Sequence, residues 1–225
     1  MRMSEMKVFR FDVDEAYAQK NNEMLRDTRY LVISGVSLFV LCLIGAILVW
    51  FFVDPASPWR LLGSLGLLLF GVMMLIVGLL VPRSVGSAQS LYDAHPLAAA
   101  IIAESRGTDY TLLALVNTTV DPAQPAHWAL TTQTVRSLPH TPDTVGAKVP
   151  VAAVGGRRSV HEKGRWQVIT PMPIAWGTPD PSVVDAAKKA VPREQWHILD
   201  TSRPRLKEVM AAKYRLLPLD ELPLN

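Results

Sequence analysis

Several things are scarce in this chain of 225 residues. It has one cysteine, its charge is nearly balanced at 23 Lys and Arg against 20 Asp and Glu, and two long stretches, Leu31 to Val53 and Leu61 to Val81, hold no charged side chain and no histidine. The lone Cys42 excludes a disulfide within one copy. Lying inside an apolar run, it reads as a small apolar residue. A near-neutral balance argues against nucleic acid as a partner, because that ligand calls for clustered basic faces. Catalytic signatures are equally scarce. There is no P-loop, no dinucleotide-binding glycine pattern, no G-x-S-x-G elbow and no Ser-x-x-Lys. No haem, iron-sulfur or copper ligation pattern occurs either, so the sequence predicts no electron-carrying centre.

What is present in place of these is a pair of apolar runs separated by seven residues, DPASPWR. At about 1.5 Å per residue, each run is long enough to cross a hydrocarbon core of roughly 30 Å. Pro55 and Pro58 keep the connection from being helical, so the spans, about 31–53 and 61–81, form an antiparallel transmembrane hairpin within residues 30–82. The first run follows an ordered-looking arm and exceeds the usual signal-peptide length, so it is expected to be retained. Arg10, Lys20, Arg26 and Arg29 precede the first span and Arg83 follows the second, whereas the loop has only Arg60. This asymmetry predicts an inner-membrane protein with both termini cytoplasmic. Tyr30 at one interface and Trp50, Phe51, Phe52 and Trp59 at the other fit the aromatic belts of a bilayer. With no ionisable group inside either span, a transport path is not expected. Small residues, including Gly71 and Gly78 seven apart, predict a helix face for close approach to a neighbouring membrane protein.

Outside the hairpin lie an arm, 1–29, and a larger part, 83–225, long enough for its own core. In the arm, Lys7 to Phe11 alternates like a short strand. Asp12 with Glu15 resembles a capping box that opens one continuous helix into the membrane. After the spans, Pro82 to Arg106 reads as helical, with LAAAIIAES as a second short helix begun at His95-Pro96. Four or five strands follow, at 110–120, 127–138, 147–154 and 166–170, punctuated by Pro and Gly. Pro181 to Val191 and Pro204 to Tyr214 have helical spacing. The expected class is α+β: a two-helix hairpin plus a cytoplasmic domain built on a small antiparallel β-barrel with flanking helices.

Few constellations could carry chemistry, and each has a plainer reading. His161-Glu162 lacks the second histidine a zinc-protease helix needs, since Arg165 occupies that position. His95, His127, His140, His161 and His197 are scattered without ligand spacing. Gly155-Gly156-Arg157-Arg158 could offer guanidinium forks to a phosphate, lipid headgroups being nearest, but reads first as a solvated hairpin loop. Trp166, Trp176 and Trp196 with Pro171, Pro173 and Pro192 could line a peptide groove, though core aromatics bounding a sheet are the commoner arrangement. No catalytic, cofactor-binding or metal residue is therefore predicted.

Three stretches, VGAKVPVAAVGG, GRWQVITPMPIAWGTPD and VPREQW, carry a resemblance to a family of two-span membrane proteins of unassigned function from corynebacteria and their relatives. It covers most of Asp27 to Leu199 and transfers no site residue. The layout and the mass of 24.8 kDa also resemble the small accessory subunits of the actinobacterial respiratory supercomplex of cytochrome bcc and oxidase. That resemblance implies an assembly or stabilising role in electron transport, with an integral membrane complex and the lipid bilayer as partners. The leading expectation is thus a non-catalytic accessory subunit. The alternative is a membrane-tethered enzyme or binding module acting on a lipid or envelope precursor.

Overall fold

The computed structural model describes residues 6–121, 123–158 and 164–219, giving only the backbone at 27–28 and 81–85. The chain divides into two units. One is Glu23–Ser87; the other joins the arm, up to Asn22, to everything from Ala88 onward.

The first unit is a helical hairpin of α2 (Glu23–Phe52) and α3 (Pro58–Val85). Both helices are long and apolar enough to cross a membrane. Pro58 sits in the first turn of α3, where it needs no hydrogen-bond partner, and Ser57 Oγ caps that turn by accepting from Trp59 N at 3.4 Å. Glycines set how closely the helices approach. A Cβ on Gly35 would lie 3.1 Å from Gly78 Cα, and one on Gly71 would lie 2.9 Å from Cys42 Cβ. Gly71 and Gly78 therefore face α2 of the same hairpin. The expectation that they meet a neighbouring protein is corrected: the close approach that small residues permit is used within the chain.

In the second unit the arm does not form the continuous helix expected of it. Helix α1 spans only Glu15–Asn21, capped by Asp14 Oδ1 accepting from Tyr17 N at 2.9 Å; Asp12 is not the cap. Asn22 then turns extended, at φ −80° and ψ 108°. Its side chain is fully buried, with Nδ2 donating to Met172 Sδ at 3.1 Å. Asn is a poor helix former because its amide competes with the backbone for partners, and here a tertiary contact takes it. Residues 7–11, expected as a strand, join no ladder. Single bonds hold the segment: Leu97 N donates to Lys7 O at 2.8 Å and Gln89 Nε2 to Phe11 O at 3.0 Å, while just beyond it Gln89 Oε1 accepts from Val13 N at 2.9 Å.

The expectation of helix through Pro82 to Arg106 is also corrected. α3 ends at Gly86 (φ 80°), α4 covers only Ala88–Ala94, and LAAAIIAES lies in a strand, β1 (Leu97–Arg106). β1 is followed by β2 (Asp109–Asn117), β3 (Trp128–Val135), β4 (Lys148–Arg158), β5 (Trp166–Pro173) and β6 (Leu216–Pro218). All pairings are antiparallel, in the order β5-β4-β1-β2-β3-β6. β1 is central, with Leu97 to Ile102 buried on both faces. A strand covered on both sides reads as an unbroken apolar run, which the alanine-rich composition disguises as helix.

The sheet curls into a half-barrel. Near the start of β5, Arg165 forms an isolated bridge with Thr119, and Trp166 N donates to Thr118 O at 2.8 Å; further along, Thr131 Oγ1 on β3 reaches Ile169 O at 3.2 Å. Pro171 and Pro173 are tolerated because β5 ends the ladder order. Helices α5 (Pro181–Ala190), α6 (Arg193–Ser202) and α7 (Leu206–Ala211) flank the sheet, α6 against β1 and β2 and α7 against β3. The α+β class with a small barrel-like antiparallel sheet is as expected, with six strands among the described residues and an additional helix, α6, that begins within VPREQWHIL.

Candidate interaction surface

The sequence singles out Gly155-Gly156-Arg157-Arg158 as a hairpin loop. The structure instead continues β4 through it, with irregular register at Gly155/Arg157 and again at Arg157/Arg158. The reason is steric. A Cβ on Gly155 would lie 2.6 Å from the Trp166 indole, so only glycine lets that ring lie across β4. Gly156 faces Val168 at 3.6 Å and has ordinary room.

The half-buried Trp166 is then covered by Arg158, whose guanidinium carbon stands 4.8 Å from the ring centre. Arg157 stands 5.8 Å from the ring of Tyr214, and Lys213 Nζ stands 5.4 Å from the same ring. Tyr214 and Arg215 both adopt positive φ, 58° and 54°. A bulky residue in that region is uncommon and held only by its surroundings. Beside them Arg165 donates from Nη2 to His127 Nε2 at 3.0 Å.

This rim gathers cations and aromatic rings from β4, β5 and the turn before β6. Among the described residues, ion pairs join Arg106 with Glu104, Arg136 with Asp109, Lys188 with Asp185 and Arg205 with Glu208. Among the described residues, no carboxylate pairs with Arg157, Arg158, Lys213 or Arg215. Ring stacking leaves guanidinium N–H edges free to bind oxyanions, so the rim can take phosphate or carboxylate groups from a partner surface.

The remaining predicted residues scatter. Trp176 is buried, its Nε1 donating to Ser137 O at 2.7 Å, and Trp196 is buried with α6. The three tryptophans therefore do not form one groove: two belong to the core and Trp166 to the rim. His95 Nδ1 lies 2.8 Å from Leu91 O, within its own turn. His161 and Glu162 lie outside the described residues. Among those described, no three His, Cys, Asp or Glu side chains converge as a metal centre would need. Tyr92 is pushed far up from the usual phenol range by burial, and its hydroxyl donates to Pro173 O at 2.7 Å. That shift is structural, because the ring packs edge-on against Phe11 at 5.0 Å in the seam between arm and sheet. Sequence reasoning missed Lys213, Tyr214 and Arg215. Only folding brings Tyr214 to Arg157, and no local pattern marks these three residues.

Hairpin and half-barrel define a protein that holds two apolar helices and a folded mixed α/β domain on one chain. The chain belongs to the family described as proteins of unknown function (DUF3239), whose model matches residues 83–207. It is similar to a solved crystal structure of a "putative membrane protein" from Corynebacterium diphtheriae, at 43% identity over 55% of this chain and 99% of that one, with a TM-score of 0.52. No curated protein matches the sequence.

Proposed function

We propose that the protein is a non-catalytic accessory subunit that braces a larger inner-membrane complex. The observation that carries this reading is the connectivity of the two units. The hairpin leaves the domain at Asn22–Glu23 and returns to it at Ser87–Ala88, so the arm before it and the sheet after it belong to one folded unit. The arm strengthens the point, because Glu15 accepts from Gln89 N at 3.0 Å and Leu97 N donates to Lys7 O at 2.8 Å, tying both approaches to the hairpin into one folded unit.

In this reading α2 and α3 lie in the bilayer, both termini are cytoplasmic, and the basic rim meets acidic groups of the partner. The membrane assignment of the related corynebacterial protein and the outward-facing apolar side chains of both helices support the placement. The actinobacterial respiratory supercomplex is the partner we propose, given the resemblance in layout. Isolation of the tagged chain in a mild detergent is expected to bring down cytochrome bcc and oxidase subunits in fixed ratio. Charge reversal at Arg157 and Arg158 should loosen that association, most strongly at low salt, because exposed ion pairs are screened as salt rises. A chain that elutes alone from a preparation in which the supercomplex stays intact would remove the proposal. Topology is tested in a Cys42→Ala background: Ala56→Cys should react with an impermeant thiol reagent outside intact cells, and Lys189→Cys should not.

A further inference from the structure

The hairpin is not evenly packed along its length. In the half near its ends, backbone meets backbone at Gly35 and Gly78, and Gly71 meets Cys42. In the half near the loop, glycines meet side chains instead, Gly45 facing Leu67 Cδ1 and Gly63 facing Val49 Cγ1, each at 3.4 Å. There the helices stand a side chain apart, and an open apolar groove of about 340 Å³ runs between them. Leu43, Ile47 and Trp50 line it from α2; Leu61, Leu65 and Leu68 line it from α3. Each wall is two turns of helix, about 10 Å deep at 1.5 Å per residue.

At the loop end stands Arg60. Its guanidinium carbon is 4.6 Å above the Trp50 ring, and its Nε is shut off from solvent without a hydrogen-bond partner. Asp54 is the only other charged residue between Arg29 and Arg83. It makes no ion pair with Arg60; its Oδ1 accepts from Ala56 N at 2.8 Å, closing the loop. Arg60 is thus a cation at an apolar groove whose chain neighbours leave it unneutralised, and a buried donor left unpaired is costly.

We infer that the groove is a binding site for one anionic phospholipid, its phosphate on Arg60 and one acyl chain between α2 and α3. Two features favour a lipid over a third helix. The groove is about 10 Å deep, which fits within one leaflet of a core roughly 30 Å thick, whereas a helix would cross both. Ser64, the polar residue of the lining, donates its hydroxyl to Arg60 O at 2.6 Å, and the one charged neighbour, Arg60, lies at the loop end beside a tryptophan of the kind that marks headgroup level, where an amphiphile carries its charge. The inference rests on the membrane placement of the hairpin but not on the accessory role.

The test uses the full chain, purified and placed in nanodiscs of phosphatidylcholine with a minor share of phosphatidylglycerol, with native mass spectrometry counting the phospholipid that stays bound. One phosphatidylglycerol per chain should be retained over phosphatidylcholine by about tenfold, the equivalent of one charge-assisted hydrogen bond. Arg60→Gln should erase the preference and Arg60→Lys should keep part of it. Leu65→Trp, which fills the groove, should reduce retention of both lipids. Equal retention of the two lipids by the wild-type chain, or an unchanged preference in Arg60→Gln, overturns the inference. So does undiminished retention in Leu65→Trp, or a wild-type chain that carries no lipid and dimerises through this face. Failure to enter the nanodisc, seen separately as a change in elution, would remove membrane placement itself and this inference with it.

Discussion

The hairpin and the domain use side-chain size in opposite ways. In the domain the largest rings are hidden, Trp176 being 1% exposed, whereas in the hairpin Phe51, Phe52 and Trp59 are 76%, 84% and 71% exposed and the buried residues are small ones such as Cys42 and Ala46. Water drives apolar surface inward. In lipid that drive between helices vanishes, and close backbone approach takes its place. One chain therefore follows two packing rules, and the boundaries at Asn22 and Ser87 mark where the rule changes.

If this contrast holds, equivalent truncations should have unequal costs. Trp176→Ala should destabilise the domain by about 3–5 kcal/mol, enough to unfold a marginal one, while Phe52→Ala should leave the domain melting curve unmoved. Calorimetry on both variants checks this, and equal losses would erase the distinction.

The next effect lies within the hairpin. Gly78→Leu forces a side chain against the Gly35 backbone, and overpacking of this kind costs about 1–3 kcal/mol. Gly66, which has nothing within 4 Å, should accept Leu silently. Crosslinking between cysteines introduced on facing positions of α2 and α3 reads the separation directly. A silent Gly78→Leu would mean that the helices do not depend on that approach.

In the domain, glycine seats rings and does not bring backbones together. Gly155→Ala should displace Trp166, red-shift or quench its emission, and lower stability by about 1–3 kcal/mol; Gly156→Ala should be nearly neutral. Should the two behave alike, Trp166 does not lie across β4.

The smallest effect is pH-dependent and belongs to Tyr92 on α4, where it packs against the arm. Because burial raises the Tyr92 phenol well above its usual value, the stabilisation of the neutral form is complete below about pH 10, the unfolded value. It declines as pH rises past that point, where only the unfolded state ionises. Tyr92→Phe should flatten this alkaline loss, at the expense of about 1 kcal/mol at neutral pH for the lost bond to Pro173 O. Denaturant melts at two pH values separate the two terms.

The hairpin was legible in the sequence because length and apolarity alone define a span; nothing distant is needed to place Leu31 to Val53 in a helix. Strands β2 to β5 were legible for a similar local reason, their Pro and Gly punctuation. LAAAIIAES was not, since alanine favours helix in isolation and only its place between β2 and β4, covered on both faces, makes it a strand. The break at Asn22 depends on Met172, 150 residues away, and the partners of Gly71 and Gly78 depend on which face of α2 they meet. The rim shows the same limit most clearly: Arg157 and Arg158 are conspicuous in the sequence, but Tyr214 reaches Arg157 only because the barrel curls and a strained turn aims the ring. Local composition determined which segments are apolar and where the chain turns. Tertiary structure alone decided which small residue opposes which large one, because that pairing is a matter of distance in space.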